Sequence, residues 1–442
     1  MRSGLPKGWT ITPLSEITEI NPRHPKGIDD SMPVTFAPMA AISESKPEFQ
    51  FSEERPLGKV RKGFTHFAEG DVLFAKITPC MENGKGAVAV GLRNGLGCGT
   101  TELHVLRPQG RIDPYYLYRF LAQPSIRRMA KEKFTGTAGQ ARVPTSFIEQ
   151  LEIPLPPLPE QRHIVAKLEK LLANVDTCQQ RLWKIPTFLK RFRQSVLAAA
   201  CSGRLTADWR KENPHDVKSK RAFEDTPETP ESWEWKQLSE ISEIRGGVTK
   251  GRQFNGKSTI RLPYLRVANV QDGYLDLREI KLIEVLPEDR ERFALKVGDL
   301  LFTEGGDRDK LGRGSIWRGE IADCIHQNHI FRARLTGGLT TPEYISLTTK
   351  SEFSRWYFFE NASQTVNLAS INLTMLSALP VPLPPFVEQR EIVRQVGALF
   401  ALADQIEARC ARVKTHADNL TQSILAKAFR GELVSADGAP SH

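Results

Sequence analysis

With 442 residues, 40% of them hydrophobic and 26% charged, the chain falls in the range of soluble globular proteins of two to four domains. No apolar run approaches the length of a membrane span, and Met1 to Leu14 lacks the basic and apolar regions of a signal peptide, so the expected compartment is the cytoplasm. A net charge of +9 favours a polyanionic partner, and six cysteines without a C-x-x-C pair or a close His and Cys set argue against zinc and for reduced structural thiols.

Residues 1–153 read as a first mixed α/β domain. Short apolar runs at Val34 to Ile42 and Val72 to Ile77 predict strands. A helix is predicted from Pro114 to Lys131, with proline in its first turn and Asp113 as its cap. Asp113-Pro114-Tyr115-Tyr116 resembles the acidic-Pro-Pro-aromatic motif of amino-methyltransferases, but the second proline is missing and no glycine-rich S-adenosylmethionine site precedes it. Lys76 and Thr78 follow the Gly70-Asp71-Val72-Leu73-Phe74 element, and Gln140 and Arg142 precede the next segment; Lys, Arg and Gln are side chains that pair with purine edges or phosphates.

At Pro154 the character changes, and residues 154–208 read as a helical arm. The stiff Pro154-Leu155-Pro156-Pro157 run cannot be helix interior, whereas Pro159 suits a first turn, so a helix begins there. Ile164, Leu168, Leu171, Val175, Cys178, Leu182, Ile185, Leu189, Phe192 and Val196 follow at spacings alternating between four and three, the pattern of a coiled-coil seam. Pro186 predicts a kink or break, Gly203 an end, and Cys178 a small buried hydrophobe.

Residues 209–229, charged and carrying Pro214 and Pro227, read as a linker, and 230–381 as a second α/β domain with strands at Leu262 to Val270 and Leu300 to Phe302 and a helix from Pro342 to Phe359. Gly251-Arg252-Gln253-Phe254-Asn255-Gly256-Lys257-Ser258 fits the P-loop pattern in full, yet a P-loop needs a buried strand before it and a helix after it, and here a polar stretch precedes and a strand-like stretch follows. A basic loop in which Arg252 and Lys257 meet DNA phosphates fits the same residues. Arg308, Lys310 and Arg313 follow the second Gly-Asp-Leu-Leu-Phe element, and Asn367 and Ser370 precede the second arm; all are candidates for DNA contact. His326 and His329 lack a third partner for a metal.

Residues 382–435 form the second arm, with Ile392, Val396, Leu399, Ala403, Ile406, Cys410, Val413, Ala417, Leu420 and Ile424 at the same seam positions and Gly431 at the end; 436–442 is a tail. Pro154-Leu155-Pro156-Pro157 thus returns as Pro382-Leu383-Pro384-Pro385, Glu160-Gln161-Arg162 as Glu388-Gln389-Arg390, and Gly70-Asp71 as Gly298-Asp299, all at one constant offset. Trp9 and Leu14 meet Trp233 and Leu238 at a slightly shorter one, which marks a small indel. The chain is a tandem duplication of a whole domain plus an arm. Intramolecular antiparallel pairing of the arms is expected, because the second domain lies between them.

Leu155-Pro156-Pro157-Leu158-Pro159-Glu160-Gln161-Arg162 and its echo, the Gly-Asp element, and Leu189-Lys190-Arg191-Phe192-Arg193-Gln194 with Gln422-Ser423-Ile424-Leu425-Ala426 resemble the specificity subunit of type I restriction-modification enzymes over essentially the whole chain. The resemblance implies two α/β target-recognition domains joined by a long antiparallel two-helix coiled coil. It also implies a non-catalytic subunit in which each half reads one block of a split double-stranded DNA target while the arms set the gap. Two methylation subunits would dock near the arms and restriction subunits would join them, with S-adenosylmethionine, ATP and Mg on those partners and no cofactor here. A P-loop nucleotide-binding enzyme and a coiled-coil adaptor without DNA recognition are the alternatives.

Overall fold

A computed structural model describes residues 5–136, 140–214, 223, 225–306, 311–364 and 369–434. They fall into two compact units, Met1–Trp183 with Cys410–His442, and Lys184–Arg409, so each unit holds part of both arms.

In the first unit a four-stranded antiparallel sheet runs in the order Thr18–Ile20, Leu103–Pro108, Val72–Ala75, Gly86–Val88. A second sheet orders Glu53–Pro56, Pro33–Ala37, Leu96–Gly99 and Thr65–Ala68, with its middle pair parallel. The second unit repeats the first sheet as Ser242–Gly246, Ile330–Leu335, Leu300–Thr303 and Gly314–Ile316. Its other sheet has three strands, Lys281–Val285, Ile260–Leu265 and Ile325–His326, again with one parallel pair. In each unit an N-terminal strand, Thr10–Pro13 or Glu234–Gln237, pairs antiparallel with the strand that leads into an arm, Glu152–Leu155 or Pro380–Leu383.

The duplicated motifs have duplicated jobs. Gly70 and Gly298 take φ +83° and +92°, where a side chain would be strained, and so turn the chain into the central strand. The following aspartate closes the turn: Asp71 accepts from the Ala68 N–H and Asp299 from the Lys296 N–H, both at 2.7 Å. Each aspartate is 1% exposed and is gripped through both oxygens by an arginine on the neighbouring strand, Arg107 at 2.9 Å and Arg334 at 2.7 Å. At the arm junctions Gln161 and Gln389, both buried, donate to the carbonyls of Pro156 and Pro384, which proline neighbours leave without helical partners. The hydroxyls of Tyr116 and Tyr344 donate to Pro154 and Pro382, each at 2.8 Å.

The arms are helices of 44 residues, Leu158–Cys201 and Phe386–Phe429. They pair antiparallel, since Gln179 donates to Asp418 in the first unit and Arg193 meets Asp404 and Glu407 in the second, the partner number falling as the first rises. Gly203 and Gly431 follow them at φ +72° and +76°, as the sequence predicts. Ile164, Leu168, Val175, Ala417 and Ile424 merge into the first unit's core, and Val196, Ile392 and Val396 into the second's.

Three sequence expectations need correction. The first arm does not break at Pro186, for the helix runs through it; proline removes one hydrogen bond, and the turns on either side carry the helix across. Cys178 is exposed rather than buried, and Phe192, Ile406, Val413 and Leu420 also keep a third or more of their surface, because a single partner helix covers a seam residue from one side only. Each domain helix is also two helices, Pro114–Leu121 with Pro124–Glu132, and Pro342–Thr348 with Glu352–Asn361. Gln123 is held extended by the proline after it, and Ser351 is extended to cap the second helix through its hydroxyl. Asp113 does cap its helix, accepting from the Tyr115 and Tyr116 amides at 2.9 and 3.2 Å.

Candidate nucleic-acid interface

Beyond the central strand of each four-stranded sheet the chain makes a small patch in which three separate segments meet. In the first unit Ile77 and Thr135 both bridge to Arg142, the Thr78 amide donates to Ala141 at 3.1 Å, and the Val143 amide donates to Lys76 at 2.9 Å. Lys76 in turn donates its amide to Glu102 at 3.0 Å. The second repeat rebuilds the same pairings: Gly305 and Ser363 pair with Ser370, the Ile371 amide donates to Glu304 at 2.7 Å, and the Glu304 amide donates to His329 at 3.0 Å. The backbone is the same, and the side chains on it are different. Lys76, Glu102 and Arg142 in one unit stand where Glu304, His329 and Ser370 stand in the other.

The four candidates of the first unit are therefore neighbours. Gln140 is exposed, and the Thr78 hydroxyl is engaged, donating to Glu82 at 2.6 Å. Arg142 forks onto Glu102, Nε to Oε2 at 2.8 Å and Nη2 to Oε1 at 2.9 Å, and Nη1 donates to the Gln140 carbonyl at 2.9 Å. That fork holds the Glu102 carboxyl below its usual range and raises the guanidinium.

In the second unit Ser370 lies in the patch, while Arg308, Lys310 and Asn367 lie outside the described residues. Arg313 donates to Gln271 at 3.1 Å, and its carbonyl accepts from Thr303, next to the patch. Arg252 is tied elsewhere: it donates to the buried Asp289 at 2.7 Å and lies 5.8 Å from the Phe254 ring. Lys257 is exposed at the end of a turn in which its amide donates to Phe254, with Asn255 and Gly256 at φ +44° and +79°. That is a type I′ turn, the habit of Asn-Gly, and the strand Ile260–Leu265 follows where a P-loop requires a helix.

His326 is fully buried, whereas His329 is half exposed and bonds through Nδ1 to Glu304, so the two histidines do not share a site. Glu102, Glu304 and His329 are the patch residues that sequence reasoning missed. Their membership comes from pairing between strands well separated along the chain, for which no spacing motif exists.

Residues 6–187 and 230–413 match the family model of the type I restriction modification DNA specificity domain. The specificity subunit of the type I restriction enzyme EcoKI of Escherichia coli is 32% identical over 460 residues, covering 98% of this chain and 90% of that one. That of EcoEI, also from Escherichia coli, is 27% identical over 494 residues, covering 95% and 83%. The crystal structure of the HsdS subunit from Thermoanaerobacter tengcongensis shares the fold with a TM-score of 0.64 at 21% identity, over 97% of this chain and 98% of that chain. A chain from a structural study of complex assembly and conformational transition of the type I R-M system does so with a TM-score of 0.70 at 22% identity, over 97% and 99%.

Proposed function

Because the chain belongs to the family of type I restriction-modification DNA specificity subunits, we propose that its two halves, 1–153 and 230–381, each read one block of a bipartite, asymmetric DNA target. The arms, 154–208 and 382–435, set the gap between the blocks and dock two methylation subunits, which bring S-adenosylmethionine; restriction subunits bring ATP and Mg. The chain itself supplies recognition and no catalysis. No helix among the described residues is long and apolar enough to cross a membrane, in keeping with a cytoplasmic DNA-bound complex.

The observation that carries this reading is the twin patch with unlike side chains. One backbone scaffold presenting Lys76, Glu102 and Arg142 in one half and Glu304, His329 and Ser370 in the other suits two readers of different sequences. Lys76, Thr78, Gln140, Arg142, Arg313 and Ser370 border the patches and contact DNA in this proposal, as do Arg308, Lys310 and Asn367, which lie outside the described residues. Arg252 and Lys257 contribute phosphate contacts that fix register without reading sequence. Two modest readers on one scaffold gain by linkage, since binding of one raises the effective concentration of the other.

Mapping methylated adenines in a host that expresses the complex tests the proposal. Exchanging residues 1–153 for the corresponding half of another specificity subunit is expected to change one block and spare the other. A map in which both blocks survive the exchange sinks it. DNA binding by the assembled complex is also expected to fall steeply with salt.

A further inference from the structure

Arg142 carries five N–H donors, and three of them are engaged within the protein, Nε and Nη2 by Glu102 and Nη1 by the Gln140 carbonyl. One N–H on each terminal nitrogen remains, on a side chain 41% exposed. Nη1 and Nη2 sit side by side at the end of the guanidinium and each keeps a donor, a pair that can match the two acceptors, N7 and O6, that guanine alone presents in the major groove; adenine offers one acceptor and one donor there. Glu102 also offsets the charge of Arg142. The pair is therefore poorly suited to clamp a phosphate and well suited to direct a fork whose orientation is fixed before DNA arrives.

We propose that Arg142 reads a guanine in the block recognised by the first half, and that Glu102 is the positioning residue that orients it. This inference rests on the assignment of DNA reading to the two halves. The second half is its internal control: at the equivalent backbone it has Ser370 for Arg142 and His329 for Glu102, so it has no fork at that place. Guanine recognition by this device belongs to one block alone.

The experiment is a genome-wide map of methylated adenines for complexes built on the full chain with Arg142→Ala, Arg142→Lys or Glu102→Gln. Arg142→Ala is expected to relax one G·C position of the first block, lowering discrimination there roughly tenfold to a hundredfold, with the second block and the gap unchanged. Arg142→Lys keeps the charge and the stem but loses the fork, so it relaxes the same position while the salt dependence of DNA binding stays as it was. Glu102→Gln keeps the preferred base and lowers discrimination several-fold. Should Arg142→Ala abolish methylation altogether, Arg142→Lys carries the test.

An unchanged motif in Arg142→Lys overturns the inference, as does a loss spread over both blocks or a uniform fall in methylation with the motif intact. The exchange of residues 1–153 separates this failure from that of the wider reading. If the exchange alters the first block and Arg142→Lys does not, the halves still read DNA and Arg142 is not the guanine contact. If the exchange alters neither block, the wider reading falls as well.

Discussion

Trp233 donates its indole N–H to Glu388 at 3.0 Å, and Trp9 makes the same bond to Glu160, also at 3.0 Å. The two junctions are not equal. Glu388 is fully buried and also accepts from the Thr206 hydroxyl at 2.6 Å and from Arg210, both supplied by the segment after the first arm. Removing its carboxylate strands a largely buried guanidinium, so Glu388→Ala is expected to destabilise its unit by about 3 to 5 kcal/mol. Glu160→Ala loses one part-buried hydrogen bond and is expected to cost about 1 kcal/mol. Hydrogen exchange under increasing urea follows each unit's own amides; equal losses at the two junctions count against the asymmetry.

The grip of Arg107 on Asp71 makes a second contrast. Arg107→Ala leaves a carboxylate with 1% exposure holding only the Ala68 amide, a loss expected to be about 3 kcal/mol. Asp71→Asn keeps the shape and can still accept from that amide, so it is expected to cost less. Urea midpoints for the two variants check the order.

Stability of the second unit should depend on acid through His326. Burial, and then the Arg332 guanidinium beside it, push this imidazole from 6.5 down to about 4, against the opposing pull of the Arg245 and Phe293 backbone and, last, of Asp299. The unfolded chain therefore takes up a proton near pH 6.5 that the folded chain refuses until about pH 4. Stability is full above pH 6.5 and falls by about 3 kcal/mol as pH drops through that window. In the first unit the residue at the equivalent register is Gly99, since Ala37 pairs with Gly99 as Leu265 pairs with His326, and it carries no titratable group. Removing the imidazole, as in His326→Cys, is expected to flatten the profile between pH 4 and 6.5; a profile of unchanged slope in hydrogen exchange rules His326 out.

The arms yield a geometric prediction. Because Gln179 meets Asp418 and Arg193 meets Asp404, deleting residues 178–184 together with 413–419 keeps the helices in register. Seven helical residues span about 10 Å, close to three base-pair steps. The gap in the methylated target is expected to change by about that amount while both blocks stay the same. A gap of the original length means that the helices do not act as the spacer.

The duplication, the two long helices and the glycines that follow them were legible in sequence because each has a local signature: a fixed offset, a four-three spacing, a residue free at positive φ. Gly251 to Ser258 was legible as a decoy from its context, and the Asn-Gly pair within it names the turn that forms instead. What escaped reading is long-range. Nothing near Asp71 announces Arg107, far along the chain on another strand, and nothing near Arg142 announces Glu102. In the second unit the strand that bears Glu102's counterpart has slipped by one position relative to the repeat, so a fixed offset points from Glu102 to Ile330 rather than to His329. Cys178 was misjudged because a seam pattern tells which residues face a partner and not how much of each the partner covers.

The segments that meet in the patch of each half are joined by amide-to-carbonyl bonds, to which side chains add a few contacts, such as Arg142 to the Gln140 carbonyl. Such a socket keeps its form whatever residues are plugged into it, so substitutions there carry little folding penalty, and a lineage can sample new target sequences without first passing through an unstable protein.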